Sequence, residues 1–318
     1  MTETFVESQS QKGTLAAPDQ ILVATDLTDS DYLVPHVVAQ AKASNAHVTL
    51  VHAILPANLL PLEAGAISYL DEEAVDRGVR SILISIAARI KAEGISCDTV
   101  ARHGFAADVI QGEIAATKAT RLIMATHGRK KLAQIALGSV ANELLRNVNI
   151  PILAVGPHAR EASTHALPRK ILHPVSLLGD YAKLAAFAID LAQVHHAELT
   201  LLHVLDPDTE EAVNPARTLV WAGHALADLA PRGGELAPVR TRAVCGNPVE
   251  EILHAAATNG ADWIVLGVDG AFPFWPLRDS TAYKVLCAAR CPVLTVRHQS
   301  GELDREQARE EQHAAPAS

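Results

Sequence analysis

The chain repeats itself. ILVATDL, beginning at Ile21, returns as ILHPVSL at Ile171, 150 residues later. HVTLVHAILP at His47 returns as ELTLLHVLDP at Glu198, RHGFAADVI at Arg102 as VCGNPVEEI at Val244, LIMATHG at Leu122 as IVLGVDG at Ile264, and IPILAV at Ile150 as CPVLTV at Cys291. The order is kept throughout, so one domain has been duplicated in tandem. The units run over 19–157 and 169–298, with HAREASTHALP (158–168) as a small and polar linker between them. The tails, 1–18 and 299–318, are polar and read as disordered. A chain of 318 residues exceeds what one ordinary core uses, which agrees with two domains.

Within a unit, short β-branched runs alternate with longer stretches of helical period. In the first, ILVAT, HVTLVHAI, SCDTVARHG, RLIMAT and PILAV read as strands. DYLVPHVVAQAKAS, DEEAVDRGVRSILISIAARIKAEG, DVIQGEIAATKA and SVANELLRNV read as helices between them. Strands separated by helices need crossover connections, so the expectation is α/β: two tandem, doubly wound, mostly parallel five-stranded sheets flanked by helices, Rossmann-like in each unit. Ligands of such sheets bind beyond the carboxyl ends of the strands, where the strand order reverses.

Several function classes are disfavoured. A net charge of -9 argues against the cationic face of a nucleic-acid binder. No run is long and apolar enough for a signal-peptide core or a membrane span, so the expectation is a cytoplasmic protein without a membrane partner. Cys97 and Cys245 stand alone, and Cys287 and Cys291 lack a matching second pair, so reduced thiols are expected and no metal site. His52, His203, and the adjacent His195 and His196 have no spacing that gathers three toward one ion.

Two strand ends carry the chemistry. Asp26 directly follows ILVAT, where an Asp is ordinarily a turn former or helix cap. A loop from Gly128 to Ser139 follows RLIMAT. Gly128 lets a ligand approach the backbone, and Gly138-Ser139 opens a helix whose unpaired N–H groups and dipole favour an anion such as phosphate.

These residues resemble the universal stress proteins, specifically their tandem, UspA-like members. That family's ATP-binding signature is a glycine, two residues, a second glycine, nine residues, then Gly-Ser or Gly-Thr; this chain has Ala125, Thr126, His127, Gly128, RKKLAQIAL, Gly138 and Ser139. Only the first glycine departs. The resemblance covers residues 19–298 and implies an adenine nucleotide alpha hydrolase-like fold, an adenine nucleotide as partner and ATP, with Mg2+, as the ligand. It puts Thr25, Asp26 and Ala53 at the adenine, Met124 and Ala125 at the nucleoside, and Gly128, Gly138, Ser139 and Val140 at the phosphates. His127 falls in the family's small-residue, His, Gly pattern, and Arg129, Lys130 and Lys131 are either a solvated turn or phosphate contacts. Ala125 hinders binding if the ribose packs tightly there, and is harmless where φ is negative. The resemblance also implies an internal pseudo-dimer through PILAV and PVLTV, and leaves homo-oligomerisation open.

The second unit departs at the same places. Ser176 stands for Asp26, and Asp279 for Gly138, where a carboxylate facing a triphosphate costs roughly 1 to 4 kcal/mol. Its loop, AFPFWPLR, gathers Phe272, Phe274 and Trp275, rings that either plug a disused pocket or form a partner patch. The leading expectation is a nucleotide-binding stress-response protein with its ligand in the first unit and a degenerate second site. A scaffold with both sites empty is the alternative, and an adenylate-transferring enzyme lacks its signature here. No base or nucleophile cluster stands out, so no catalytic residue is assigned and slow ATP hydrolysis is the most expected.

Overall fold

The computed structural model describes residues 19–56, 71–126, 137–156, 159, 167–177, 181–209, 214–231, 238–269 and 280–298. Both tails, most of the linker, the basic loop and the aromatic loop with Phe272, Phe274 and Trp275 lie outside them.

β1 (Gln20–Ala24) shows why the sheet is covered on both faces: Ile21, Leu22, Val23 and Ala24 are all buried. Their side chains alternate, so Ile21 and Val23 enter one core while Leu22 and Ala24 enter the other. The first core lies under α1 (Ser30–Ser44) and α2 (Glu72–Lys91), the second under α3 (Ala106–Thr117) and α4 (Ser139–Asn147). In α2 the buried set Leu83, Ile86, Ala87 and Ile90 is one helical stripe. β2 (His47–Ile54), β3 (Cys97–His103), β4 (Arg121–Ala125) and β5 (Ile152–Val155) complete the first half. The second half repeats the plan with β6 (Lys170–Pro174), α5 (Tyr181–Val194), β7 (Glu198–Leu205), α6 (Pro215–Leu229), β8 (Val239–Cys245), α7 (Pro248–Asn259), β9 (Trp263–Asp269), α8 (Thr281–Ala288) and β10 (Val293–His298).

The expectation of two separate five-stranded sheets is corrected. One ten-stranded sheet runs in the order β3-β2-β1-β4-β5-β10-β9-β6-β7-β8. Every pairing inside a half is parallel, and β5 pairs with β10 antiparallel. Each of these strands would otherwise be an unpaired edge buried between the halves, and joining them satisfies both ladders. Leu153 pairs with Leu294, its own counterpart, while Ile152 meets Thr295 and Ala154 meets Val293. That is the register of a two-fold interface. The outer edges, β3 and β8, are blunted by exposed polar side chains such as Arg102, Arg240 and Arg242. In the first half β1 lies between β2 and β4, so the order reverses there and a crevice opens beyond the strand ends.

Candidate functional site

At the end of β1 the chain makes a turn built on Thr25. Its hydroxyl accepts from the Leu27 N–H at 2.9 Å and donates to the Asp29 carboxylate, while Asp26 Oδ1 accepts from the Thr28 N–H at 2.8 Å and the Thr28 hydroxyl at 2.7 Å. These bonds hold Leu27 at φ 73°, a left-handed conformation that a branched side chain rarely takes, and Leu177 repeats it in the second half at φ 59°. His52, on β2, donates from Nδ1 to the Thr25 carbonyl at 2.7 Å, and His203 does the same to Val175 at 2.9 Å. The two histidines thus brace the ends of β1 and β6. Such bracing, repeated in both halves, needs no ligand.

Asp29 was not singled out from the sequence. It is 3% exposed, and its carboxyl is pushed up to about 6, first by burial and then by the neighbouring Asp26, against the pull of the Thr25 hydroxyl. The available signal was a second acidic residue in TDLTDSD, but nothing local says that it will be buried.

β4 delivers Met124, Ala125 and then Thr126, a second residue the sequence did not flag. Thr126 ties three segments together: its N–H donates to the Val155 carbonyl at 3.0 Å, and its carbonyl accepts from the Gly138 N–H at 3.0 Å. Ala125 lies within β4 and is not among the residues with positive φ, so the methyl that replaces the signature glycine carries no backbone strain. Gly138 also has an ordinary backbone, φ -57°, and a Cβ there would sit 3.5 Å from the Thr126 carbonyl oxygen, a normal contact. A side chain at 138 therefore meets no clash within the described protein.

The two helix openings differ. Gly138 caps α4 without any side-chain hydrogen bond, whereas Ser280 caps α8 with its hydroxyl, accepting from the Tyr283 N–H at 3.1 Å. α8 thus satisfies one first-turn N–H, that of Tyr283, with its own cap, and α4 has no side-chain cap to do the same.

Between the β1 turn and α4 lies a cleft of about 290 Å³. Around it stand Thr25, Asp26, Ala53, Met124, Ala125, Gly138, Ser139 and Val140, joined by Asp29, His52 and Thr126. His127, Gly128, Arg129, Lys130 and Lys131 lie outside the described residues. Apolar walls from Val51, Met124 and Leu144, with polar groups at two ends, suit a flat ring joined to an anion. A larger hollow of about 650 Å³ beside α7 and α8 has, among the described residues, Asp262 and Arg290 as its charged lining groups, and the Asp262 carboxylate already accepts from the Arg169 and Lys170 N–H groups. Among the described residues no group of three metal-ligating side chains occurs, and no helix is long and apolar enough to cross a membrane.

The profile described as the universal stress protein family matches residues 18–156 and 168–297. Among solved structures, a universal stress protein from Archaeoglobus fulgidus DSM 4304 is similar at 19% identity and TM-score 0.67, over 88% of this chain and 98% of that one. A putative universal stress protein from Pseudomonas aeruginosa UCBPP-PA14 is similar at 18% identity and TM-score 0.61, over 89% of this chain and 94% of that one. A functionally unknown protein from Pseudomonas aeruginosa PAO1 aligns at 19% identity and TM-score 0.62, covering 88% and 93%. No curated protein matches.

Proposed function

The chain belongs to the universal stress protein family as a tandem, UspA-like member, and on that premise we propose that its first half binds ATP in the cleft between β1 and α4. The observation that carries this reading is the contrast at the helix openings. α4 opens on the cleft from a glycine with no side-chain cap, and α8 spends its Tyr283 N–H on the Ser280 hydroxyl. A carboxylate has room for about four donors, so Asp26, which takes two from Thr28 on Oδ1, can also accept from the exocyclic amine of adenine. Met124 and Val51 supply an apolar bed for the base. Ser139 and the N–H groups of the first turn of α4 hold the phosphates. Among the described residues the carboxylates lining the cleft, Asp26 and Asp29, belong to the β1 turn, so Mg2+ would travel with the triphosphate and its water rather than on protein ligands. We assign no catalytic base, and the expected turnover is at most slow. Occupancy of the cleft, rather than catalysis, is then the signal of a stress-response regulator.

An empty interaction scaffold is the competing reading. It draws on Asp29, whose charge in the same cleft disfavours an anion. Calorimetric titration with ATP and Mg2+ separates the two: one nucleotide per chain is expected. No binding hands the protein to the scaffold reading, and two equivalent sites would refute the asymmetry between the helix openings.

A further inference from the structure

The halves meet at a second place besides the β5–β10 seam. The hydroxyl of Tyr283, at the start of α8, accepts from the Leu137 backbone N–H at 3.3 Å, and both residues are buried. Leu137 directly precedes Gly138 and Ser139, where α4 opens into the cleft. Burial raises the Cys287 thiol above its ordinary range, and the Leu137 amide and the Tyr283 hydroxyl each pull it partway back, which places Cys287 against the same pair. The other end of α8 lies near Gly156, which neighbours Thr126. The carbonyl of Ala289 lies 3.9 Å from where a Cβ on Gly156 would be, and Thr126 Oγ1 lies 3.5 Å from the same point. Thr126 holds Gly138 through its carbonyl. Thus α8 reaches the helix-opening turn directly, through Tyr283, and indirectly, through Gly156 and Thr126.

The matching position in α4 carries a different side chain. Asn142 occupies in α4 the place of Tyr283 in α8, and its Oδ1 is buried without a hydrogen-bond partner. A residue before a helix normally leaves its N–H to solvent or to the chain nearby. Here a tyrosine 146 residues away takes it.

We propose that Tyr283 is a positioning residue for the anion end of the cleft, by which the half with the self-capped helix sets the phosphate affinity of the other half. The inference rests on the nucleotide reading above. It adds the source of control. Rearrangement of α8, by a partner or by change in the second half, would release the 137–139 turn and loosen phosphate without touching the base.

The test uses the full-length chain and Tyr283→Phe, which keeps the ring and removes the hydroxyl. ATP with Mg2+ and adenosine are each titrated by calorimetry, the unfolding midpoint is measured, and amide exchange is followed at residues 137–141. The expected result is ATP weakened about three- to tenfold, the worth of one hydrogen bond, with adenosine affinity unchanged and faster exchange at Leu137. Equal ATP affinity in the two proteins overturns the proposal. So does parallel loss of ATP and adenosine with a lowered midpoint, which makes the hydroxyl a general packing element of the interface. If wild-type protein binds no ATP, the nucleotide reading fails first and this inference falls with it, a result distinguishable because it needs no variant.

Discussion

Burial holds the Asp29 carboxyl at about 6, above its ordinary 3.8, and that sign has a consequence for stability. Between these two values the folded chain binds a proton that the unfolded chain does not. Stability contributed by Asp29 is therefore full below the unfolded value and is lost as pH rises through about 6. His173 acts in the opposite sense. Complete burial pushes its imidazole from 6.5 to about 4 despite the bond to the Val265 carbonyl, so its contribution is present above 6.5 and is lost as pH falls toward 4. The two windows overlap and partly cancel in the wild-type chain. Asp29→Asn, which keeps an acceptor for the Thr25 hydroxyl, should stabilise the protein at pH 7.5 by about 1 to 3 kcal/mol. The gain should vanish near pH 4, leaving the His173 limb visible. Urea unfolding at the two pH values measures it; no gain at pH 7.5 would mean that Asp29 is not held raised. A destabilising carboxylate retained in a cleft is what a functional site, rather than a packing site, tolerates.

At the scale of the element, the openings of α4 and α8 make opposite forecasts for matched serines. Ser280→Ala removes the hydroxyl that caps α8 and should destabilise the chain by roughly 0.5 to 2 kcal/mol. Ser139→Ala, in the first turn of an α4 capped by Gly138, should leave the unfolding midpoint nearly unchanged and weaken ATP instead. Denaturant curves and ATP titration on both variants distinguish the two roles. Gly138→Asp should retain the fold, since its backbone suits any residue, and should weaken ATP through steric and charge conflict with phosphate, the charge part being larger at low salt than at high salt. Normal ATP affinity in that variant would remove the electrostatic account of the second unit's Asp279.

The whole molecule is a two-fold assembly written into one chain, with Leu153 and Leu294 facing each other across the axis. A half on its own would bare the β5 edge and its share of the two cores that run through both halves. Residues 19–156 expressed alone should consequently pair through β5 in the same register, Leu153 against Leu153, or precipitate. Light scattering across a concentration series decides it. A stable monomer at high concentration would show that the seam does not drive association.

The repeat, the order of the elements and their ends were legible in the sequence because they rest on short-range chemistry. ILVAT became Gln20–Ala24 and SVANELLRNV became Ser139–Asn147, since apolar alternation, helical period and a glycine before a helix act over a few residues. The strand-end positions that converge on the cleft were legible for the same reason, given that a parallel sheet puts its carboxyl ends together. What stayed hidden depends on distance in sequence and nearness in space. The fusion of two sheets into one came from two edges finding each other 139 residues apart, from Ala154 to Val293. The raised Asp29 came from its burial in the folded molecule, the absence of backbone strain at Ala125 from a φ that no residue type dictates, and the Tyr283 to Leu137 bond from docking of the two halves. Local propensity chose the elements, and burial on assembly decided which polar groups lost water and which found a partner.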